Sequence, residues 1–304
     1  MDPQFLVIGE ALIDIVARHG ESAVEHVGGS PANVAVGLAR LDHPVLFVTC
    51  LGDDERGDRI RTHLKHRSVA IVDGTDDYPT STAQANIDES GAASYEFNLF
   101  WDPGFIELPT SVHHVHTGSI AAVLDPGGTE ILGALDRGRG QATVSYDPNF
   151  RPSIMGDIAA AIACIEDVMG RSDVVKASSD DIAIMYPDLS LEEVIARWLD
   201  LGPALAVITR AEAGVSYRTR ADSEVVTRPA PPTTVVDTVG AGDSFMAGLI
   251  SGLTASGLLG GPEARERLHT ALAADVESAI ARGAACGAMT VARAGAYAPS
   301  LDEL

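Results

Sequence analysis

The chain predicts an α/β fold with a mostly parallel central sheet and a small accessory β-sheet, and three patterns predict it. Short apolar runs alternate with helix-length stretches, two strand-like segments interrupt that alternation, and the chain from Gly242 onward is almost wholly helical. The runs Phe5 to Gly9, Val45 to Leu51, Val112 to Thr117, Ala142 to Asp147, Val174 to Ala177 and Ala204 to Thr209 are short, apolar and rich in β-branched residues, as strands buried on both faces are. Pro31 to Leu41, Asp54 to Arg67, Ile154 to Met169 and Leu191 to Leu201 lie between them with helical spacing. Strands that alternate with helices make a parallel sheet covered on both faces.

The interrupting segments are Ile13 to Val27 and Ser81 to Phe100. In the second, Ala83 to Asp88 and Ala93 to Leu99 flank Glu89-Ser90-Gly91, which reads as a hairpin with a glycine-containing turn. Together the segments would form a sheet outside the main layer, placed to act as a lid. The helical end of the chain finishes in a small-residue stretch, Ala279 to Ala292. No repeat or flexible linker divides the sequence, and Arg228-Pro229-Ala230-Pro231-Pro232 reads as a rigid connection. A single domain over residues 1–304, with lid insertions at about 13–27 and 81–100, is the expected organisation.

Composition narrows the function. With 304 residues and 46% hydrophobic content, the chain suffices for one large core. Its longest apolar runs, such as Ala204 to Ile208 and Phe245 to Ile250, are far shorter than the roughly 20 residues of a membrane span. The amino terminus carries Asp2 and only a brief apolar run, unlike a secretory signal, so a cytoplasmic protein is expected. Cys50, Cys164 and Cys286 are odd in number and widely spaced, the pattern of reduced structural cysteines. A net charge of −22 argues against nucleic-acid or anionic-membrane partners. It also demands that any phosphate ligand be held by local groups, and Lys65 and Lys176 are the only lysines. Backbone amides and a few arginines must therefore do most of the holding.

One segment offers such amides. Asp237-Thr238-Val239-Gly240-Ala241-Gly242-Asp243-Ser244-Phe245 runs directly into a helical pattern. The small residues Gly240, Ala241 and Gly242 let backbone N–H groups approach an anion at the positive end of the following helix. Asp243, in the first turn, suits the acceptor of a proton from an attacking hydroxyl, with the helix end keeping it ionised and weakly basic. It equally suits a helix N-cap, and the segment alone leaves both roles open.

The nonapeptide meets every fixed position of Asp-Thr-x-Gly-Ala-Gly-Asp-x-Phe, and on it the chain resembles the ribokinase, or PfkB-type, sugar kinases. The resemblance implies a ribokinase-like three-layer fold and ATP-dependent phosphorylation of a hydroxyl, with Asp243 as catalytic base and Gly240, Ala241 and Gly242 as its anion hole. Gly28-Gly29-Ser30-Pro31-Ala32-Asn33 resembles a second family motif. Its glycines allow close approach of a polar ligand, and Asn33 both donates and accepts. The family implies Gly28, Gly29 and Asn33 as substrate contacts, with Asp14 accepting from two hydroxyls. Ser30 reads as the N-cap of the next helix and Pro31 as its first residue. A nucleophile elbow at Gly28 to Ala32 is disfavoured by Pro31 and by the lack of a partner histidine.

Further matches follow in family order. Asp147-Pro148-Asn149-Phe150-Arg151 resembles a segment of fructokinases and ketodeoxygluconate kinases, implying that Arg151 neutralises phosphate or substrate charge with Asn149 nearby. Lys176-Ala177-Ser178-Ser179-Asp180-Asp181 lies at the family's Ser-x-x-Glu element, implying Lys176 and Ser178 at the nucleotide phosphates and Asp181, here in place of Glu, holding Mg2+ through water. Thr209 and Gly214 match a turn that meets the nucleotide, where Ala211 replaces the family's first glycine. Gly283 to Ala296 resembles the helix and loop bordering the adenine. In many members that loop and the carbonyls near Asp237 and Val239 bind a monovalent cation such as K+. The lid sheet of related kinases commonly pairs with a second subunit, which implies a homodimer through the lid.

Other classes fit poorly. Gly9 is followed by Glu10, Ala11 and Leu12, not by a dinucleotide-binding glycine motif, and neither lysine follows a glycine as in a P-loop. In the run His113-His114-Val115-His116, His114 and His116 share a strand face while His113 points away, so the three do not converge on a metal. They read as a satisfied strand edge. The lid segments hold Arg18 against Asp14, Glu21, Glu25, Asp88, Glu89 and Glu96, which favours an uncharged sugar over a sugar phosphate. The wording around Gly28 and Asp147 is most similar to fructokinases, so fructose is the first expectation. Ribose, ketodeoxygluconate or a nucleoside are alternatives, and a non-catalytic sugar-binding regulator is a distant one. Among the lid aromatics Tyr95, Phe97, Phe100 and Trp101, which would pack the lid or stack on a base, Phe97 is the candidate substrate contact.

Overall fold

The structure is a computed structural model that describes residues 4–18, 20–74, 78–88 and 93–304. Its strands are β1 (Phe5–Ile8), β2 (Leu12–Arg18), β3 (Val24–Gly28), β4 (Val45–Thr49), β5 (Ala70–Asp73), β6 (Thr82–Ile87), β7 (Ala93–Asn98), β8 (His114–Gly118), β9 (Thr143–Asp147), β10 (Val174–Ser178), β11 (Leu205–Thr209), β12 (Val215–Thr219) and β13 (Val226–Arg228). Its α-helices are α1 (Ser30–Arg40), α2 (Glu55–Lys65), α3 (Gly127–Gly138), α4 (Pro152–Met155), α5 (Ile158–Met169), α6 (Ser179–Met185), α7 (Leu191–Leu201), α8 (Ala241–Ala255), α9 (Pro262–Thr270) and α10 (Ala273–Val291).

Among the described residues, nine strands form one sheet in the order β13-β12-β11-β10-β9-β8-β1-β4-β5. From β11 to β5 every pairing is parallel, while β12 and β13 add an antiparallel edge. Alternate residues of β1 serve different helical layers. Phe5 and Val7 join a core built with α1, α2, α8, α9 and α10, whereas Leu6 and Ile8 join one built with α3, α5, α6 and α7. The strand period of 2 thus fills two cores from one sheet, and the result is three layers. The chain leaves β1 toward β4 on one side and reaches β8 on the other, so strand order reverses between β1 and β8. In open α/β sheets the crevice beyond the carboxyl ends at such a reversal is where ligands bind.

The two interrupting segments do pair with one another. β2 runs antiparallel to β3 and parallel to β6, and β6 runs antiparallel to β7, giving a four-stranded accessory sheet. The expected turn at Glu89-Ser90-Gly91 lies outside the described residues. Glu25 of β3 receives the guanidinium groups of Arg56 and Arg59 from α2, with Arg56 Nη2 at 2.5 Å from Oε1. One carboxylate thus faces two part-exposed guanidinium groups beside the accessory sheet.

Some expectations need correction. The helix foreseen from Ile154 to Met169 is broken, because Gly156 turns at φ 71 and Asp157 then caps α5 through Ala160 N. The helix at Ser30 begins one residue earlier than expected, with Gly29 as N-cap and no side-chain cap. The histidines of β8 lie in an interior strand, not at an edge. His114 bonds Thr143 and Ser145, and His116 bonds Ser145, each at 2.9 Å. Burial lowers both imidazoles well below their ordinary range and keeps them neutral. Among the described residues no group of three His, Cys, Asp or Glu side chains is placed to hold a metal, and no helix is long and apolar enough to cross a membrane. Trp101, foreseen in the lid, is buried in the core.

α8 is buried from Ser244 to Leu253 and packs closely along α10. A Cβ at Gly252 would fall 2.5 Å from Ala279 Cα. Helix propensity alone favours Ala over Gly by about 1 kcal/mol, but overpacking against backbone costs about 1–3 kcal/mol. Gly252→Ala is therefore expected to lower the urea midpoint of unfolding, and a raised midpoint would show that the α8–α10 contact has room to spare.

Candidate active site

The carboxylate of Asp243 is the centre from which the site is assembled. It stands in the first turn of α8, whose N-cap Gly240 has φ 74. A side chain at Gly240 would be strained in that conformation and would also meet Ala296 Cβ at 2.7 Å. The amides of Gly242 and Asp243 precede the first intrahelical acceptor pairings and point out of the helix end. Ser30 Oγ donates to Asp243 Oδ1 at 2.6 Å, and Asn33 Nδ2 donates to Oδ2 at 2.8 Å. Both donors sit on the first turn of α1, three residues apart and so on one helical face. Each oxygen of the carboxylate is thereby fixed by its own donor.

Burial pushes the Asp243 carboxyl above its ordinary range, while Ser30, Asn33 and the charges of Lys176 and Arg151 pull it back. The sequence suggested a weakly basic group held down by the helix end. The structure instead encloses it, and desolvation outweighs the donors. Asp14, on β2, has its Oδ2 where a Cβ on Gly28 would lie, at 1.9 Å, so only glycine fits at that crossing. Burial pushes Asp14 up to about 6, against the pull of His26 and with the added repulsion of Asp243. Asp14 and Asp243 thus share one electrostatic environment.

The phosphate side holds a buried ion pair. Lys176 Nζ donates to Asp147 Oδ2 at 2.7 Å, and the two side chains are 4% and 2% exposed. Nζ also lies 3.0 Å from where a Cβ on Gly242 would stand, so the ammonium sits close beside the first turn of α8. Burial alone would lower Lys176, but Asp147, Asp181 and Asp243 more than offset it and hold it above its ordinary value. Burial raises Asp147 to about 6 despite Lys176. Lys176, read from the sequence as facing nucleotide phosphates, is here anchored to Asp147 with its charge spread toward α8. Arg151 is half exposed, with Nη1 on the Phe150 carbonyl and 3.9 Å from Asp181 Oδ1. Asp181 itself accepts from Ser178 N, Ser178 Oγ and Phe150 N at 2.7–2.8 Å. It closes a capping box on α6 with Ser178. Asn149, at φ 39, places Nδ2 3.3 Å from Ser119 Oγ.

The arrangement matches a known group of enzymes: the profile of the pfkB family carbohydrate kinases fits residues 2–303. The chain belongs to that family. It is 31% identical to a fructokinase of Klebsiella pneumoniae, with 100% of this chain and 99% of the relative aligned. It is 32% identical to a fructokinase of Rhizobium leguminosarum bv. trifolii over 84% of this chain and 81% of that one. Among solved structures it is similar to a fructokinase from Xylella fastidiosa with bound ATP, at TM-score 0.84 and 26% identity over 100% of this chain and 97% of that one. An aminoimidazole riboside kinase from Salmonella enterica, complexed with aminoimidazole riboside and an ATP analogue, gives TM-score 0.78 and 25% identity over 99% and 98%. This carbohydrate kinase is an ATP-dependent phosphotransferase with a ribokinase-like fold.

The remaining positions in the kinase form its rim. Thr209 ends β11 and donates to Ala177 O at 3.3 Å. Gly214 has φ 90, and a Cβ there would lie 2.1 Å from Arg228 O, so its glycine is required by β13. Ala211 adopts φ 46, a left-handed conformation that favours glycine. Asp237 receives Val239 N at 3.0 Å and Gly295 N at 2.8 Å, joining the loop before α8 to the one after α10. Phe97 is half-buried on β7 and stacks with exposed Tyr95 at 6.2 Å between centroids. Sequence reasoning missed Ser30, because its helix-start role masked its hydroxyl. The signal available was its spacing from Asn33 on one face of α1.

The buried carboxylates are expected to set the pH behaviour of the kinase. Asp14 and Asp147 are raised to about 6, so their charged forms are lost as pH falls through that region; burial raises Asp243 above its ordinary range as well. The kcat/KM profile of the kinase is expected to show an acid limb near 6. Ser30→Ala removes a donor to the charged form, raises the Asp243 carboxyl further, and should move that limb to higher pH with about a tenfold loss of kcat. An unmoved limb would mean that Asp243 does not titrate in it.

Proposed function

We propose that the kinase transfers the γ-phosphoryl group of ATP to a hydroxyl of a neutral sugar, fructose first, with Asp243 as general base. The observation that carries this reading is the doubly held Asp243 carboxylate beside the amino-terminal amides of α8. A hydroxyl placed against Asp243 gives up its proton to the carboxylate as its oxygen bonds to the γ-phosphorus. The bond from that phosphorus to the bridging oxygen breaks, and ADP leaves. The helix-end amides and Arg151 face the charge on the equatorial oxygens, where fixed dipoles stabilise it without reorganising. Gly28 and Gly29 bring backbone close to the sugar, Asp14 accepts from its hydroxyls, and Asn33 and Asn149 line the same side.

Mg2+ in such sites keeps several waters and binds chiefly through substrate phosphates. Asp181 suits an outer contact to it, since three hydrogen bonds leave part of its acceptor capacity unused. The metal would neutralise the triphosphate. Thr209, Ser178 and Gly214 would border the nucleotide, and the loop carbonyls near Asp237 and Val239 suit a monovalent cation, K+ among them.

Fructose is favoured by the full-length likeness to the Klebsiella fructokinase and by the scarcity of cations against the carboxylates of the accessory-sheet segments. A riboside is the second reading, supported by the Tyr95–Phe97 stack and the likeness to the aminoimidazole riboside kinase. An ADP-release assay over fructose, ribose, ketodeoxygluconate, adenosine, aminoimidazole riboside and fructose 1-phosphate tests both. Highest kcat/KM on fructose is expected, and preference for either riboside would replace it. Asp243→Asn should lower kcat by about 10²–10⁴-fold, the usual contribution of a positioned base. Transfer at the full rate would remove Asp243 from that role.

A further inference from the structure

The accessory sheet meets the rest of the kinase at a small, closely bonded joint. Asp54, the N-cap of α2, accepts Gly57 N through Oδ1 at 2.8 Å, as a helix cap does. The same carboxylate reaches across to the residues that lead into β6. Thr80 Oγ1 donates to Asp54 Oδ1 at 2.7 Å, and Thr80 N donates to Oδ2 at 2.8 Å. The Thr80 hydroxyl in turn accepts from Gly52 N at 3.1 Å. Glycine is required at position 52, where a Cβ would fall 2.6 Å from Thr80 N. Thr80 is 2% exposed, so loss of its acceptor would leave a buried amide unsatisfied.

The joint continues to the acceptor wall through the backbone. Ser81 O accepts Ile13 N at 3.0 Å, and Asp14, the next residue of β2, pairs with Ala83. Ala83 stands opposite Phe97 on its other side. Ser81 Oγ accepts Phe100 N at 3.0 Å, tying the chain just beyond β7 to the same place. Residues 80 and 81 thus carry β2, β6 and β7 together, and Asp54 fixes residue 80. The ion pairs of Arg56 and Arg59 with Glu25 also join α2 to this sheet, but part-exposed pairs contribute little. Burial works to raise the Asp54 carboxyl, yet the donors from Thr80 and Gly57 outweigh it and hold it below its ordinary range. The joint therefore stays charged where Asp14 begins to protonate.

We propose that Asp54 is a positioning residue of the acceptor site: by holding Thr80 it sets β6, and with it β2 and Asp14, at a fixed place against the main sheet. The carboxylate touches neither sugar nor nucleotide. It acts by holding the strand that presents Asp14, so a loosened joint lets Asp14 wander from the sugar hydroxyls while the nucleotide rim at Thr209 and Gly214 stays in place.

This role rests on the acceptor-site reading above, and the test separates the two. Asp54→Asn, Thr80→Val and Thr80→Ser are made in the full chain. Asn caps helices as well as Asp does, but it offers one acceptor oxygen where the cap and the joint need two. Thr80→Val removes the hydroxyl, and Thr80→Ser retains it. Hydrogen exchange at residues 12–15 of the ligand-free protein is measured beside KM for fructose and for ATP. Asp54→Asn and Thr80→Val should each speed that exchange by about tenfold and raise the fructose KM by about tenfold, leaving the ATP KM unchanged. Thr80→Ser should stay near wild type in both. Unchanged exchange at 12–15 in Asp54→Asn and Thr80→Val, or a Ser variant as impaired as Val, overturns the positioning role. A rise in both KM values together does the same. Should Asp54→Asn not fold, the two Thr80 variants decide alone. Should wild type phosphorylate no sugar, the acceptor reading falls while the exchange measurement still judges Asp54.

Discussion

The grip of Ser30 and Asn33 on Asp243 depends on α1 and α8 starting at the same place. The residues are more than 200 positions apart, so tertiary packing, not local sequence, creates the pair. Gly37 makes the packing close, since a Cβ there would fall 2.6 Å from Ala247 Cβ. With the helices that near, their first turns meet, and both positive ends face one point. The carboxylate proposed as base and the amides proposed as anion hole are thus set side by side by one helix–helix contact.

That contact also resolves the charge problem. The chain carries a net −22 and clusters Asp14, Asp147, Asp181 and Asp243 about the site, yet its substrate ATP is an anion. Long-range repulsion is screened beyond about 8 Å at physiological salt, so the short-range field decides binding. In the proposed site the two helix ends, buried Lys176 and half-exposed Arg151 would supply that field. Lys176 contributes as a fixed, buried charge close to Gly242.

Much of the fold was legible because both faces of the sheet are buried. The six apolar runs became six neighbouring parallel strands, and Leu191 to Leu201 matched α7 to the residue. β5, β12 and β13 escaped notice because short, mixed stretches such as Val215–Thr219 carry little periodicity. The motifs marked Asp243 and the Gly28-Gly29 turn as candidates; what they could not show is which side chains meet across the fold. Ser30 looked like a cap and Lys176 like a phosphate ligand. Their partners, Asp243 and Asp147, are not neighbours in sequence, and no spacing rule couples them.

The burial of Lys176 leaves the molecule with an unusual surface inventory. The other lysine, Lys65, is exposed in the last turn of α2. That helix runs back from the carboxyl ends of the strands, so Lys65 lies at the opposite border of the sheet from Asp243. Reagents that acylate side-chain amines therefore meet one accessible target, remote from the crevice. A dye or a solid support attached there would leave the chemistry facing open solution.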